Sequence, residues 1–328
     1  MPSASGGLRA RAWPARHNDR MESELVAAID CGTNSIKILV ASVSGGVLAE
    51  VLLRDSRVVR LGQGVDRTGE LADEALERTF AAIDEFAEVI RSHGVPPERV
   101  RFCATSATRD ASNAAVFREG VRRRLGIEPE VLSGDEEAAL VFAGAIAAQD
   151  PMPPQPVLVV DIGGGSTELV LGAGDGRQGV SMDIGSVRLH ERHLHSDPPT
   201  AAEVAACVAD IDAHLGDSGI PLHDTRTVIG TSGTIKTLAC GVLALGSYDR
   251  AAFDQAVLPN DATAAFVDGL VAMTVAERRA LPYMHPGRAD VIDAGALIWT
   301  GILARVPVAE HVVSEADILY GMAAAIGG

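Results

Sequence analysis

Aromatic residues are scarce in this 328-residue chain: two tryptophans, three tyrosines and seven phenylalanines make up 4% of positions. With 47% of residues hydrophobic, a globular protein must then build its cores from Ala, Val, Leu and Ile. Cysteine pairing is also missing. Cys31, Cys103, Cys207 and Cys240 are scattered with no CxxC pair and no metal spacing, so they suit buried apolar positions in a reducing cytoplasm better than disulfides. No stretch approaches the roughly 18 uninterrupted apolar residues of a membrane span. The first 20 residues carry four arginines and no apolar h-region, which argues against a secretory signal. Residues 1–22 are expected to form a disordered extension, with Met21 as an alternative start, and the protein to be cytoplasmic. Positive charge is in deficit, 28 Lys and Arg against 44 Asp and Glu for a net charge of −16. That excludes a general nucleic-acid or anionic-membrane binder. Any polyanionic substrate must be captured by a local cationic site, against the field of the whole molecule.

What is present is a duplication. "AAIDCGTNSIKILVA" and "VVDIGGGSTELVLG" align at a constant offset of 131, placing Asp30 on Asp161, Gly32 on Gly163, Ser35 on Ser166 and Lys37 on Glu168. Each reads strand, polar glycine turn, strand. Strands alternate with helical patterns on both sides of the second copy, which argues for α/β layering. Helices are expected over 73–93, 111–125, 134–149, 200–215, 261–276, 289–305 and 315–326. The stretch "RLGQGVDRTGEL" is expected to be a mobile loop with few packing residues. A length of 328 residues suits two domains, and two halves each opened by a D-x-G hairpin imply two domains facing across a cleft.

Backbone N–H groups in a tight glycine turn form an anion-binding nest. "DIGGGSTE" offers three consecutive glycines followed by hydroxyls, and Asp161 at a strand end can bind Mg²⁺ directly or through water. Glu168, seven positions on, can complete a metal site. A third loop, "IGTSGTIKTLA", runs from strand into helix as a helix N-terminus does when it takes up phosphate. The plain alternative, a floppy hairpin turn, explains one such loop but not three.

The motifs "DCGTNSIKILV", "ATSATRDASN", "VLSGDEEA", "VVDIGGGSTELVLG", "GSVRLHERHLHSDPPT", "IGTSGTIKTLA", "GRADVI" and "SEADILYGM", in this order, make the chain resemble the exopolyphosphatase / guanosine pentaphosphate phosphohydrolase (Ppx/GppA) family. That family lies within the sugar-kinase, actin and heat-shock-chaperone ATPase superfamily. The resemblance runs from about Val26 to the C-terminus. Thr33 departs from the family's D-x-G-S-N-S pattern but keeps the hydroxyl, and the longer members' C-terminal helical module is absent. The implied fold is two ribonuclease-H-like, actin- or sugar-kinase-type domains facing across a cleft. Domain I spans 23–133, with a C-terminal helix near 312–328 packing back on it, and domain II spans 134–311.

The implied chemistry is hydrolysis of a terminal phosphoanhydride, which needs a polarised phosphoryl group, an in-line water and an acceptor for its proton. Glu136 and Glu137 are adjacent at a helix start and so point about 100° apart. The family pattern selects Glu137 as the catalytic base, with Glu136 in reserve; the plain alternative is two first-turn acids favouring the helix dipole. Asp161 and Glu168 match the family's metal-binding or water-orienting acids, with Asp30 facing them as a third metal ligand. Carried over as phosphate contacts are Asn34, Ser35, Arg109, Gly163, Gly164, Gly165, Ser166, Ser232, Gly233, Thr234 and Arg288, with Arg288 alternatively in a salt bridge beside Asp290. Lys37 and Lys236 lie beside two phosphate loops. Arg54, Arg57 and Arg60 read as a solvated strand edge or an entry track, and His190, His193 and His195 as solvated histidines rather than metal ligands. The resemblance implies Mg²⁺ as cofactor, with stimulation by K⁺ left open, and a homodimer. The expected substrate is inorganic polyphosphate, or alternatively guanosine penta- or tetraphosphate. A sugar or acetate kinase on the same fold and a phosphate or alarmone sensor without turnover stand behind these.

Overall fold

A strand covered on both faces reads as a continuous apolar run. The computed structural model, which describes residues 23–174 and 176–327, has two such strands at the centres of two sheets. The expected extension at 1–22 lies outside the described residues. The first sheet holds β1 (Glu24–Cys31), β2 (Ser35–Ser44), β3 (Val47–Val58), β4 (Val100–Ala104) and β5 (Glu130–Val131), in the order β3-β2-β1-β4-β5. The second holds β6 (Val157–Ile162), β7 (Thr167–Ala173), β8 (Gly176–Met182), β9 (Thr227–Gly230), β10 (Val257–Pro259) and β11 (Glu310–Val313), in the order β10-β11-β9-β6-β7-β8. In each sheet an antiparallel three-strand meander is extended by parallel strands on the far side of its first member, and in the second β10 adds an antiparallel edge to β11. The duplication read from the two hairpins is thus a duplication of whole sheets, and the α/β expectation holds.

Each sheet has its own aliphatic core. One lies under the Asp73–Ser92 and Ala114–Leu125 helices, around Ile29, Ile38, Ile83 and Phe117. The other lies under the Ala201–Asp217, Gly233–Val242 and Ile292–Leu303 helices, around Leu158, Leu169, Leu238 and Trp299. A third core joins the two sheets. The Gly134–Ala147 and Ile318–Ile326 helices are inserted between them, so that Val26 and Leu39 share neighbours with Val141, Val159 and Met322. Fully burying an aliphatic side chain contributes roughly 1.5–3 kcal/mol, so this shared core, whose Val141 and Ile318 also line the cleft, ties the lobes together. Glycine makes the crossing possible: a Cβ on Gly321 would stand 2.2 Å from the Leu140 carbonyl oxygen, and one on Gly144 would stand 2.1 Å from that of Asp317.

The segment from Arg60 to Leu71 is packed, contrary to the expected loose loop. Leu61, Val65 and Leu71 are buried, Val65–Thr68 form a short helical turn, and Gly62 N–H donates to the Thr33 carbonyl. Three apolar residues spaced among glycines were enough to anchor it. The expected helix over 111–125 runs over Ala114–Leu125 and is preceded by a short unexpected one, Ser106–Asp110, whereas that over 261–276 divides into Asn260–Val271 and Val275–Arg279. The four cysteines are free and buried, as expected. Among the described residues no helix is long and apolar enough to cross a membrane.

Candidate active site

The two hairpins are built alike. Asp30 is the next-to-last residue of β1, opposite Lys37, and Asp161 stands in β6 opposite Glu168. Each turn is closed by the same bond, from Gly32 N–H to Ser35 O at 3.0 Å and from Gly163 N–H to Ser166 O at 2.9 Å. The strands thereby aim both turns at one cleft between the sheets. Asp30, Asn34, Ser35, Glu137, Asp161, Gly163, Gly164, Ser166, Glu168, Gly233, Thr234 and Arg288 all line it.

Three sequence candidates lie elsewhere. Gly165 packs against the other lobe, where a Cβ would meet Ser106 Oγ at 2.5 Å and Thr33 Oγ1 at 2.6 Å. Ser232 caps the Gly233–Val242 helix by accepting from Ile235 N–H. Arg109 sits behind the cleft, donating to Leu132 O at 2.9 Å and to Glu137 Oε2 at 3.2 Å. Thr33 is buried at the junction of the lobes, its methyl where Gly62 and Gly164 leave room, which accounts for a threonine at that position.

The structure separates the two adjacent glutamates. Glu136 accepts from both the backbone N–H and the hydroxyl of Ser133, completing a capping box with that N-cap residue. Its role is to start the helix. Glu137 points into the cleft and is buried. Burial, then the neighbouring Glu168 and Asp30, push its carboxyl well above the ordinary value, and Arg109 only partly offsets them. Burial and Asp161 likewise push Glu168 up to about 7, against a hydrogen bond from Ser181 Oγ at 2.8 Å. Burial also raises Asp161, although Lys37 opposes it.

Hard carboxylate oxygens are the donors a magnesium ion takes, commonly one or two of them with waters and phosphate oxygens completing the shell. Asp30, Asp161 and Glu168 suit that use, though no three such side chains among the described residues are grouped as a ready-made metal cluster. Asn34 adds a side-chain oxygen that is buried without a partner. An unpartnered acceptor among carboxylates fits a hydrated cation, whose waters donate.

The cations divide into two kinds. Lys37 Nζ is 3.0 Å from Asp30 and 3.9 Å from Asp317, and Lys236 Nζ is 3.1 Å from Glu315 and 3.7 Å from Asp317. Both lysines are thus spent on carboxylates. Arg54 joins the same group, 2.5 Å from Asp317 and 2.8 Å from Glu315. Burial alone would raise Asp317, but Arg54, Lys236 and Lys37 hold it far below the usual carboxylate range. Asp317 and Glu315 were overlooked in the sequence. The signal was an acid directly before an apolar helix, since Asp317 also N-caps Ile318–Ile326. Arg288 differs from these: it has no carboxylate partner among the described residues, bonds Thr237 Oγ1 at 2.8 Å, and lies over Gly233, where a Cβ would stand 2.5 Å from its Nη2. Its expected alternative partner, Asp290, is taken by Arg60 at 2.6 Å.

Two surface expectations need correction. Arg54, Arg57 and Arg60 form no open track, because each is paired, Arg57 with Asp55 and Glu85. The histidines are not simply solvated: His190 meets Asp293 at 3.3 Å and His193 meets Asp210 at 2.8 Å, leaving His195 exposed. Both aspartates arrive from distant helices, which local spacing cannot reveal.

This duplicated-sheet cleft has close counterparts. A model of the Ppx/GppA phosphatase family matches residues 39–322. The chain belongs to the Ppx/GppA phosphatase family. It is 43% identical over 317 residues to exopolyphosphatase 2 of Mycobacterium tuberculosis, covering 92% of this chain and 98% of that one. Among solved structures it resembles an exopolyphosphatase-like protein (TM-score 0.88, 44% identity, covering 94% and 98% of the two chains). It also resembles an exopolyphosphatase from Cytophaga hutchinsonii (TM-score 0.84, 27% identity, covering 93% and 100%) and the Aquifex aeolicus Ppx/GppA family member (0.77, 30%, covering 93% and 97%). The two-domain actin- and sugar-kinase-like fold expected from the motifs is the fold of this Ppx/GppA protein.

Proposed function

We propose that the chain is an exopolyphosphatase, which hydrolyses the terminal phosphoanhydride of inorganic polyphosphate and releases orthophosphate. The observation that carries this reading is the convergence of Glu137, two phosphate-type hairpins and Arg288 on one cleft. In the reaction a water attacks the terminal phosphorus, Glu137 takes the proton it sheds, and the bridging oxygen departs on the shortened chain. Arg109 orients the Glu137 carboxylate. The turn amide of Gly164 and the start of the Gly233–Val242 helix receive phosphate oxygens, and Arg288 grips the chain with two N–H donors. Asp30, Asp161 and Glu168 would hold Mg²⁺, which when bound neutralises charge on the phosphoryl oxygens. A chain of negative phosphates enters a molecule of net charge −16, so capture depends on these local groups.

The deciding experiment incubates the protein and Glu137→Ala with Mg²⁺ and, separately, short polyphosphate, long polyphosphate, guanosine pentaphosphate and ATP. Phosphate release from polyphosphate that is lost in the variant is the expected result. Preferential turnover of guanosine pentaphosphate would replace the substrate assignment and leave the residue roles intact. No release from any of them would sink the reading.

A further inference from the structure

The position of Arg288 is set from outside the cleft. Arg60 lies two residues beyond β3 with φ of 52°, in the left-handed region that a Cβ disfavours. Strain of this kind persists where surrounding contacts over-determine it, and here they do. The Arg60 backbone N–H donates to the Asn34 carbonyl at 2.9 Å, beside that of Val59 at 3.0 Å, so it holds the tip of the first phosphate hairpin. Its guanidinium Nη2 donates to both Asp290 oxygens, at 2.8 and 2.6 Å. Asp290 is two residues past Arg288, in a segment folded on itself by bonds from Arg288 N–H to His285 O and from Val291 N–H to Arg288 O. Gly287 of that segment lies so close to Val58 that a Cβ would stand 2.7 Å away. Val59 and Leu61 belong to the core of the first sheet, whereas Ala289 and Ile292 belong to that of the second. The contact therefore crosses between the lobes.

We infer that Arg60 is a positioning residue: through Asp290 it seats Arg288 over Gly233, and through its backbone it holds Asn34, so that lobe closure brings the first phosphate loop and the gripping guanidinium into the cleft together. The ligand named here rests on the polyphosphate reading above; the clasp between Arg60 and Asp290 does not.

Alanine at position 60 keeps the Cβ, so Arg60→Ala removes the ion pair without changing the backbone strain. Tripolyphosphate binding is measured by calorimetry with Mg²⁺ on full-length Glu137→Gln protein, which holds the ligand without turnover. Arg60→Ala and Asp290→Ala should each weaken it about fivefold, the scale of one partly exposed ion pair. In the otherwise native enzyme each should raise KM more than it lowers kcat. Added to Arg288→Ala, Arg60→Ala should weaken binding no further, because its effect passes through that guanidinium. Losses that multiply in the double variant, or wild-type affinity in Arg60→Ala, would overturn the inference. A second arm needs no ligand. Amide exchange over 285–291 should quicken in Arg60→Ala while the Ser186–His193 helix keeps its protection, and the reversed pair, Arg60→Asp with Asp290→Arg, should restore it. Unchanged exchange over 285–291 would overturn the clasp whatever binds. If the unsubstituted cleft fails to bind tripolyphosphate, the functional reading falls and the exchange result alone decides the clasp.

Discussion

Replacing Glu136 and Glu137 one at a time separates helix start from chemistry within a single dipeptide. Glu136 lies on the surface and closes the Ser133 capping box. Glu136→Gln should lower the melting temperature slightly and leave phosphate release near that of the parent. Glu137 is 7% exposed and lines the cleft with Glu168 and Asp30. Glu137→Gln keeps its shape and one hydrogen-bond acceptor for Arg109 but cannot take a proton. General-base catalysis contributes about 10²- to 10⁴-fold, or about 3–5 kcal/mol of barrier, so kcat should fall by that factor. Stability should move the other way. A buried carboxylate crowded by two others is a source of strain, and the neutral amide relieves it, so metal-free Glu137→Gln should melt higher than the parent. Phosphate release from tripolyphosphate and thermal melts in EDTA read both quantities. A Glu137→Gln enzyme within about tenfold of the parent, or a Glu136→Gln enzyme equally impaired, would refute the assignment.

Asp317→Asn removes the anion shared by Arg54, Lys236 and Lys37. Breaking so buried a pair should destabilise the protein by about 3–5 kcal/mol in urea melts; a loss below about 1 kcal/mol would mean that Glu315 and Asp30 suffice. Glu168, raised from 4.5 to about 7, gives a signed pH dependence. Between those values the folded protein keeps a proton that the unfolded chain releases, so in EDTA stability should fall as pH rises through that window. Glu168→Gln should flatten the slope. Mg²⁺ should raise the melting temperature more at pH 8 than at pH 5, the acids being its ligands only when ionised; equal shifts would argue against a carboxylate metal site. Gly321→Ala forces a methyl against the Leu140 carbonyl and should destabilise by about 1–3 kcal/mol, as read by denaturant midpoints.

The amino-acid order alone carries the repeated hairpins, since Asp30 with Lys37 and Asp161 with Glu168 are local pairs that a strand–turn–strand register brings opposite one another. It also determined the alternation of strand and helix, because hydrophobic periodicity is local too. Residue reading leaves open which of Glu136 and Glu137 faces the cleft, and the family resemblance points to Glu137. Part of the evidence for it was in plain view, since Ser133 three residues before Glu136 is a capping-box spacing.

Which charges are free depends on the packing of distant elements. Lys37 and Lys236 are cations beside phosphate loops in the sequence and Arg54 belongs to an apparent strand edge or entry track, yet Asp317 and Glu315, far along the chain, occupy all three. Arg288 stands beside Asp290 in the sequence, which leaves both a phosphate contact and a salt bridge open. The fold gives Asp290 to Arg60 and leaves Arg288 to the cleft. Periodicity and spacing report which face a residue takes within its own element. Which partner reaches that face depends on how distant elements pack, and the duplicated sheets, joined by the helices between them, set that packing.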